Sequence, residues 1–292
     1  MKKTMILAAF AAAVALYAQD PAQDFRKGQK YRDIRKFQQA AELFDKVAKE
    51  ASGDLKTKAL LYKAITMGEN GKVTMEEAQA AVEAVPDAKL KAFARMSLLS
   101  SRYKRKQIIA EFDQENIQEW NENYAYIGWQ QRGGAYVTCK QYDKAIADLL
   151  LAEKNAGSDQ WIKFCAESLL FEAYLGKKDY ENALKYIEKI RGRTNWRGSF
   201  RYLSPIIGSV DAYIPLKKFE EAHKELDGLD KLTKISARKN IYACCYFISL
   251  GKLYAAEDRK AEAKAAYEKA LACDKAQKYY LNMAKKAYES IK

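Results

Sequence analysis

The sequence predicts an all-α protein built as a solenoid of antiparallel helix pairs, closed at its carboxyl end by a capping helix. Ala, Lys, Glu, Leu and Tyr dominate the 292 residues, and only four prolines and fourteen glycines interrupt them, which is a composition typical of helices. Apolar residues recur at steps of three and four, the period of one face of a helix. One pattern of residues also repeats along most of the chain, and such repetition is typical of solenoids.

The repeated pattern is clearest around Ala145. It comprises Trp129, Gly133, Tyr136, Tyr142, Leu149 and Ala152. The same offsets recur around five other alanines, which together with Ala145 we call the anchors: Ala40, Ala78, Ala183, Ala222 and Ala263. Short polar breaks divide each copy into two halves, and a short connection makes neighbouring helices antiparallel. The glycine and the anchor are small because two helices cross closely there, where a larger side chain would cost ~1–3 kcal/mol.

The spacing of the anchors indicates how many repeats the chain holds. Successive steps are 38, 67, 38, 39 and 41 residues. The step of 67 corresponds to two units, so we expect a degenerate repeat near residues 86–120, with Ile108 and Phe112 in its second helix. This predicts about six to seven repeats. Residues 276–291 carry an apolar stripe that begins at Tyr279, which predicts the helix that caps the last open face of a solenoid.

The two best copies, Trp129–Ala152 and Phe247–Ala270, resemble the tetratricopeptide repeat family, whose signature is Trp, Leu-Gly, Tyr and then Ala, Phe, Ala. The resemblance covers nearly all of residues 19–292, although the family repeat of 34 residues is shorter than these units. It implies a right-handed superhelix with a groove lined by the first helix of each repeat. It also implies a non-catalytic scaffold that binds a protein or peptide. The lysine–asparagine clamp with which some family members hold a peptide carboxyl terminus is not present at the matching positions.

Residues 1–18 have the pattern of a cleaved secretory signal peptide. Lys2 and Lys3 precede a run of twelve apolar residues that begins at Met5, and Ala18 stands at a suitable cleavage point. A membrane span needs about 20 apolar residues, so this run favours a signal peptide, with an uncleaved anchor as the alternative. The pattern predicts an exported protein of bacterial type, periplasmic or secreted, that does not span the membrane once mature.

The charge of the mature chain is strongly basic. Without Lys2 and Lys3 it keeps 49 basic and 38 acidic residues. This excess favours an acidic partner or an anionic component of the cell envelope, and export argues against nucleic acid as a partner. Most of these lysines fit a solvated helix exterior, and the run Arg102–Lys106 fits a solvated turn between helices.

No set of side chains indicates catalysis. His223 is the only histidine and fits a helix surface, and no glycine-rich phosphate loop follows a strand. We therefore expect no enzyme activity, no cofactor and no metal site. Two other functions stay open beside the envelope scaffold: an auxiliary or catalytic component that acts on an envelope polymer, and a structural protein that mainly self-assembles.

Side chains of the first helices that the repeat does not use should face the groove. The eight candidates are Gln29, Arg32, Gln130, Thr138, Ser168, Glu172, Asp211 and Lys252. They carry charges of both signs, so their composition alone indicates no class of ligand.

A basic-aromatic patch between two repeats is a second candidate site. It consists of Arg191, Arg193, Trp196, Arg197 and Arg201. If exposed, these arginines would bind an anionic ligand, because arginine pairs with carboxylate and phosphate in a bidentate manner. The alternative is that Trp196 packs onto the solenoid and that the aromatic residues after it begin the next helix.

The five cysteines, Cys139, Cys165, Cys244, Cys245 and Cys273, are an odd number, so at least one stays unpaired within the chain. Cys244 and Cys245 belong to the first helix of the last repeat, and Cys273 ends its second helix. These ends meet in an antiparallel pair. Either cysteine could form a disulfide with Cys273, which would stabilise the fold by ~3 kcal/mol, or all three could be buried free thiols.

Overall fold

The computed structural model describes residues 20–192, 203–235, 239–273 and 278–291. These ranges contain fifteen α-helices and no strand, so the prediction of an all-α repeat fold is confirmed. No helix within them is both long and apolar enough to cross a membrane. The predicted signal peptide, residues 1–18, lies outside the described residues.

The chain divides into two compact units, Met1–Ala135 and Tyr136–Lys292. Unit 1 holds α1 (Pro21–Asp33), α2 (Phe37–Glu50), α3 (Gly53–Glu69), α4 (Met75–Glu83), α5 (Ala88–Ser101), α6 (Arg105–Phe112), a 3₁₀ turn (Ile117–Glu119) and most of α7 (Glu122–Thr138). Unit 2 holds α8 (Tyr142–Asn155), α9 (Gln160–Gly176), α10 (Tyr180–Gly192), α11 (Leu203–Tyr213), α12 (Phe219–Ile235), α13 (Lys239–Ala256), α14 (Lys260–Leu271) and α15 (Lys278–Glu289).

Within each unit a helix packs chiefly against its neighbours in sequence. The first helix of one pair also contacts the first helix of the next, as α3 contacts α5 and as α9 and α13 both contact α11. The first helices therefore form a continuous layer in each unit. In unit 2 the layer ends with α15, which packs against α13 and α14.

Several helices begin where their sequence supplies a cap. Thr74 and Glu77 exchange side-chain and backbone hydrogen bonds in a capping box at the start of α4. Asp87 accepts a bond from the amide of Leu90 at 2.8 Å, which caps α5, and Asp159 caps α9 in the same way. These side chains satisfy amides that have no partner within their own helix.

The turns inside most helix pairs share one backbone conformation. Among the described residues, six non-glycine residues have φ between 56° and 63°: Arg35, Tyr103, Lys140, Lys178, Lys217 and Asp258. Five of them lie five residues before an anchor alanine, and Tyr103 lies five residues before Ile108. Ile108 therefore occupies the anchor position of the α5–α6 pair, in the segment where the sequence suggested a degenerate repeat.

The small residues of the repeat lie where helices cross. All six anchor alanines are completely buried. A Cβ at Gly28 would lie 2.7 Å from the ring of Phe44, and one at Gly251 would lie 2.5 Å from the ring of Tyr267. In both pairs the glycine precedes its anchor by twelve residues and the aromatic residue follows it by four, so the second helix inserts a ring against the bare backbone of the first.

Arg102 departs from its predicted environment. Its guanidinium donates hydrogen bonds to the carbonyl oxygens of Asn70 and Val73, both at 2.8 Å, and of Met67 at 3.3 Å. These carbonyls belong to the end of α3 and the turn after it, where acceptors lack helical partners. The prediction of a solvated turn is therefore wrong for Arg102, which ties two helix pairs of unit 1 together.

Candidate functional site

A cavity of about 290 Å³ lies in unit 2 between α9, α11, α13 and α15. Its lining comprises Phe171, Glu172 and Leu175 of α9; Ile207, Gly208 and Asp211 of α11; Cys245, Ile248, Ser249 and Lys252 of α13; and Tyr279, Tyr280 and Met283 of α15. On each helix these residues are spaced by one, three or four positions, which places them on one face. The cavity is thus built by one face of three successive first helices and by the capping helix.

Three of the predicted groove residues meet in this cavity. Glu172, Asp211 and Lys252 each lie eleven residues before an anchor alanine, so they occupy the same position in three successive repeats. The Nζ of Lys252 lies 2.7 Å from Oδ1 of Asp211, and both side chains are about 30% exposed (30% and 31%). Asp211 and Lys252 therefore neutralise each other across α11 and α13.

Glu172 is the third charged residue of the described lining and does not belong to this ion pair. Its side chain has no hydrogen bond or ion pair with any residue that the structure describes. Glu172 is exposed to solvent at the edge of the cavity, where the neighbouring walls remove part of its hydration, and this desolvation raises the pKa of its carboxyl. The cavity therefore holds one carboxylate without a cationic partner inside the described chain.

The floor of the cavity contains a second polar group without a partner. Ser249 is completely buried, and its Oγ has no hydrogen bond with the described residues. Most buried hydroxyls in proteins are hydrogen-bonded. Beside it, burial raises the pKa of the Cys245 thiol to about 12, so that thiol stays neutral and forms part of the apolar wall. Ser249 is the polar spot in an otherwise apolar floor.

The cavity coincides with a local change in the repeat. In α1 and α13 the position twelve residues before the anchor is Gly28 or Gly251, whereas in α9 it is Phe171. The Phe171 ring lies against Gly208 of α11, so closely that a Cβ at position 208 would overlap it. Phe171 is thereby directed towards the next helix pair, where it forms one wall of the cavity.

The other predicted groove residues lie elsewhere. In unit 1, Gln29 and Arg32 line a polar depression on α1. Arg32 is already engaged there, with bonds of 2.9 and 2.6 Å from Nε and Nη2 to the carboxylate of Glu69, and its guanidinium lies 5.8 Å from the centre of the Tyr62 ring. Ser168 donates to the Phe164 carbonyl at 2.8 Å.

Gln130 and Thr138, both on α7, complete the set of eight candidates, and neither of them lines the cavity of unit 2. The structure thus brings three of the eight together at one site.

The basic-aromatic patch is described only at Arg191. Its guanidinium lies 2.9 Å from Glu188 and 2.5 Å from Glu225, and it donates to the Ser209 hydroxyl at 3.2 Å. Arg191 therefore joins α10 to α11 and α12. The other members, Arg193, Trp196, Arg197 and Arg201, lie outside the described residues.

All five cysteines are free thiols in this structure. Cys244 is completely buried in a cluster against which Cys273 packs. Burial, and then the neighbouring Cys273, raise the pKa of the Cys244 thiol to about 12. Cys245 instead belongs to the cluster around α11 and α12. Of the two cysteines that the sequence offered as partners for Cys273, the geometry favours Cys244, and the disulfide itself stays a prediction.

Most of the apolar lining was not predicted from the sequence. Phe171 and Ile207 belong to none of the sites predicted from it, and Tyr279 was assigned only to the apolar stripe of the cap. A signal was nevertheless present, because Phe171 is a large residue at a position where other copies have glycine. Among the described residues, no three His, Cys, Asp or Glu side chains are grouped so that they could hold a metal ion.

Comparison with known proteins identifies the fold. No model of a protein family matches the sequence, and no curated protein matches it. Several solved structures are similar, and two of them serve as examples. A tetratricopeptide repeat protein from Parabacteroides merdae is 14% identical, with 91% of this chain and 98% of that chain covered and a TM-score of 0.51. NprR in complex with its cognate peptide NprX is 15% identical, with 80% of this chain and 72% of that chain covered and a TM-score of 0.58. The chain therefore has the fold of the tetratricopeptide repeat proteins.

Proposed function

We propose that this protein is a non-catalytic scaffold that binds a peptide segment of a partner protein in the cavity of unit 2. The observation that carries the proposal is the cavity itself, in which one face of three successive first helices and the capping helix meet. A site built on parallel, equivalent faces suits a ligand that also extends from residue to residue.

The size and lining of the cavity support a peptide side chain as the bound group. Its volume of about 290 Å³ lies at the lower end of the ~300–1,000 Å³ typical of small-molecule pockets. Its walls are mainly apolar, with a few polar groups that would orient a ligand. The similar structure of NprR holds a cognate peptide, which supports this mode of binding for the fold.

We also propose that the scaffold acts in the cell envelope, in the periplasm or after secretion. The signal-peptide pattern of residues 1–18 supports this location. The basic excess of the chain supports an additional attraction to anionic envelope components. The partner would then be an envelope or secreted protein with an accessible segment.

Selection of peptides by the mature protein tests the proposal. A random library displayed on phage is panned against the chain without residues 1–18, and the selected peptides are titrated by calorimetry. Two variants locate the site: Tyr279→Ala removes a lining side chain that is 66% exposed, and Tyr103→Ala removes one in unit 1 that is 83% exposed. Both positions are exposed enough that the fold should tolerate the change.

We expect peptides that bind with one-to-one stoichiometry, lose at least about tenfold in affinity with Tyr279→Ala and keep their affinity with Tyr103→Ala. If no peptide is selected, or if Tyr279→Ala leaves every selected peptide unaffected, the proposed site is wrong.

A further inference from the structure

We propose that the cavity of unit 2 selects a peptide segment in which a lysine or arginine stands directly beside a large apolar residue, and that Glu172 binds the basic head. This inference rests on the proposed peptide-binding function and adds the chemistry of the ligand.

The charge balance of the cavity indicates a cationic ligand. Asp211 and Lys252 form an ion pair at 2.7 Å and cancel, and Glu172 has no cationic partner among the described residues. Within the described lining the excess charge is therefore negative, although the whole chain carries a formal charge of +13. A partly desolvated carboxylate gains more from a cation than a fully hydrated one, because less solvent competes for it.

The walls of the cavity indicate that the cation arrives on an apolar support. Phe171 and Ile248 are almost fully buried, each 3% exposed, and Leu175, Ile207 and Met283 complete an apolar surface. Such a surface accepts a large apolar side chain together with the methylene stem of a neighbouring lysine or arginine, whose head remains at the polar edge. The exposed ring of Tyr279 at the same site offers a further contact to a cation.

The same geometry disfavours a peptide that ends in a free carboxylate at this point. A second negative charge beside Glu172 would be repelled, since Lys252, the one cation in the described lining, is already paired with Asp211. We therefore expect the part of the groove that α9 contributes to select a positive charge. This follows from the side chains eleven residues before the anchors, Glu172, Asp211 and Lys252.

A positional-scanning library of octapeptides, acetylated and amidated at their ends, tests the assignment against the mature protein. Wild type is compared with Glu172→Gln, with the charge reversal Glu172→Lys, and with Glu181→Lys as a matched control on the exposed surface of α10. The best peptide is then resynthesised with glutamine or glutamate in place of its basic residue. A version with a free amino terminus is also made.

We expect wild type to select lysine or arginine next to Leu, Ile, Met or Phe, and to lose about tenfold or more in affinity when that residue becomes glutamine. In Glu172→Gln the same peptide substitution should lower the affinity by less than about twofold, because the carboxylate that would pair with the basic residue is absent. Glu172→Lys should prefer the glutamate peptide, whereas Glu181→Lys should behave as wild type.

The outcomes separate this inference from the proposed function. Peptides that bind in a Tyr279-dependent manner but show no preference for a basic residue would overturn the inference and leave the scaffold function standing. A gain of more than about tenfold from a free amino terminus, with no loss when the basic residue becomes glutamine, would overturn the assignment to a basic side chain. If none of the library members binds, both proposals fail.

Discussion

The two units use the groove-facing side of their first helices in opposite ways. In unit 1, Arg32 on α1 is satisfied within the protein by two hydrogen bonds to Glu69 and by the ring of Tyr62. In unit 2, Glu172 on α9 faces an apolar cavity and has no such partner among the described residues. The charge at the position on α1 is therefore satisfied inside the protein, whereas the charge on α9 stays open to the ligand that we propose.

The largest expected effect comes from replacing two buried phenylalanines, one in the core of unit 1 and one in the wall of the cavity in unit 2. Phe44 in unit 1 is fully buried and Phe171 in unit 2 is 3% exposed, so alanine at either position should cost about 3–5 kcal/mol of unfolding free energy. Only Phe171 also lines the cavity. Phe171→Ala should therefore abolish selective peptide binding as well, whereas Phe44→Ala should preserve it at temperatures where the chain remains folded.

Urea titrations give the two stabilities, and calorimetry gives the two affinities. An equal loss of peptide affinity in both variants would show that the cavity is not a local property of unit 2, and the comparison between the units would fail.

Oxidation should affect unit 2 alone, because all five cysteines lie in it. We expect mild oxidation to join Cys244 to Cys273, which pack in one cluster, and to stabilise unit 2 by about 3 kcal/mol for a closed loop of roughly thirty residues. Mass spectrometry without reduction identifies the link, and thermal unfolding with and without reductant measures its effect.

Cys273→Ser should remove the dependence of stability on reductant, and Cys165→Ser should keep it. Free thiols at both Cys244 and Cys273 after oxidation and unfolding would end the prediction. So would a link that involves Cys245.

Replacement of one glutamate by glutamine should have opposite signs in the two units. Glu69→Gln breaks the half-buried pair with Arg32 and should cost about 1 kcal/mol, or about 3 °C in melting temperature. Glu172→Gln removes a desolvated charge without a described partner and should raise the melting temperature by a smaller amount at neutral pH.

The effect of Glu172→Gln should depend on pH in a defined direction. Desolvation raises the pKa of the Glu172 carboxyl in the folded state, so its ionised form destabilises the folded state above that pKa. This destabilisation disappears as the pH falls and the carboxyl becomes protonated. The stabilising effect of the substitution should therefore vanish in acid, and calorimetric scans at several pH values measure it. A constant difference at all pH values would show that desolvation is not its cause.

The sequence was sufficient for the fold because the repeat signal is redundant. Six copies of an anchor alanine, each with apolar residues at helical spacing, predict helix pairs even where one copy is weak. Glu172, Asp211 and Lys252 share one offset in the repeat, and the structure places all three in the lining of one cavity. This works because helical periodicity determines which residues share a face.

The cavity could not be predicted because it depends on contacts between repeats. Arg32 binds Glu69, which lies 37 residues away in the sequence, whereas Glu172 binds no described residue. This difference depends on the register between neighbouring helix pairs, which no local sequence pattern encodes. The contribution of α15 likewise depends on how the cap docks. The best sign of the cavity in the sequence was Phe171, which stands where other repeats have glycine. Its ring packs against Gly208 of the next helix pair instead of against the second helix of its own pair.

The smallest expected effect concerns the turns, where the two units should behave alike. Arg35 in unit 1 has φ of 60° and Lys178 in unit 2 has φ of 63°, a region that costs an L-residue ~1–2 kcal/mol and glycine almost nothing. Glycine also gains more freedom in the unfolded chain, which offsets part of the benefit. Arg35→Gly and Lys178→Gly should each stabilise the protein by about 0.5–1 kcal/mol.

Lys185→Gly provides the matched control for this last prediction, because Lys185 is exposed within α10 and glycine in a helix interior costs about 1 kcal/mol. The same chemical change should therefore stabilise at position 178 and destabilise at position 185, as measured by urea denaturation. A gain in only one of the two turns would show that the units differ in backbone geometry as well as in charge. A gain in both would confine their difference to the side chains that face the groove.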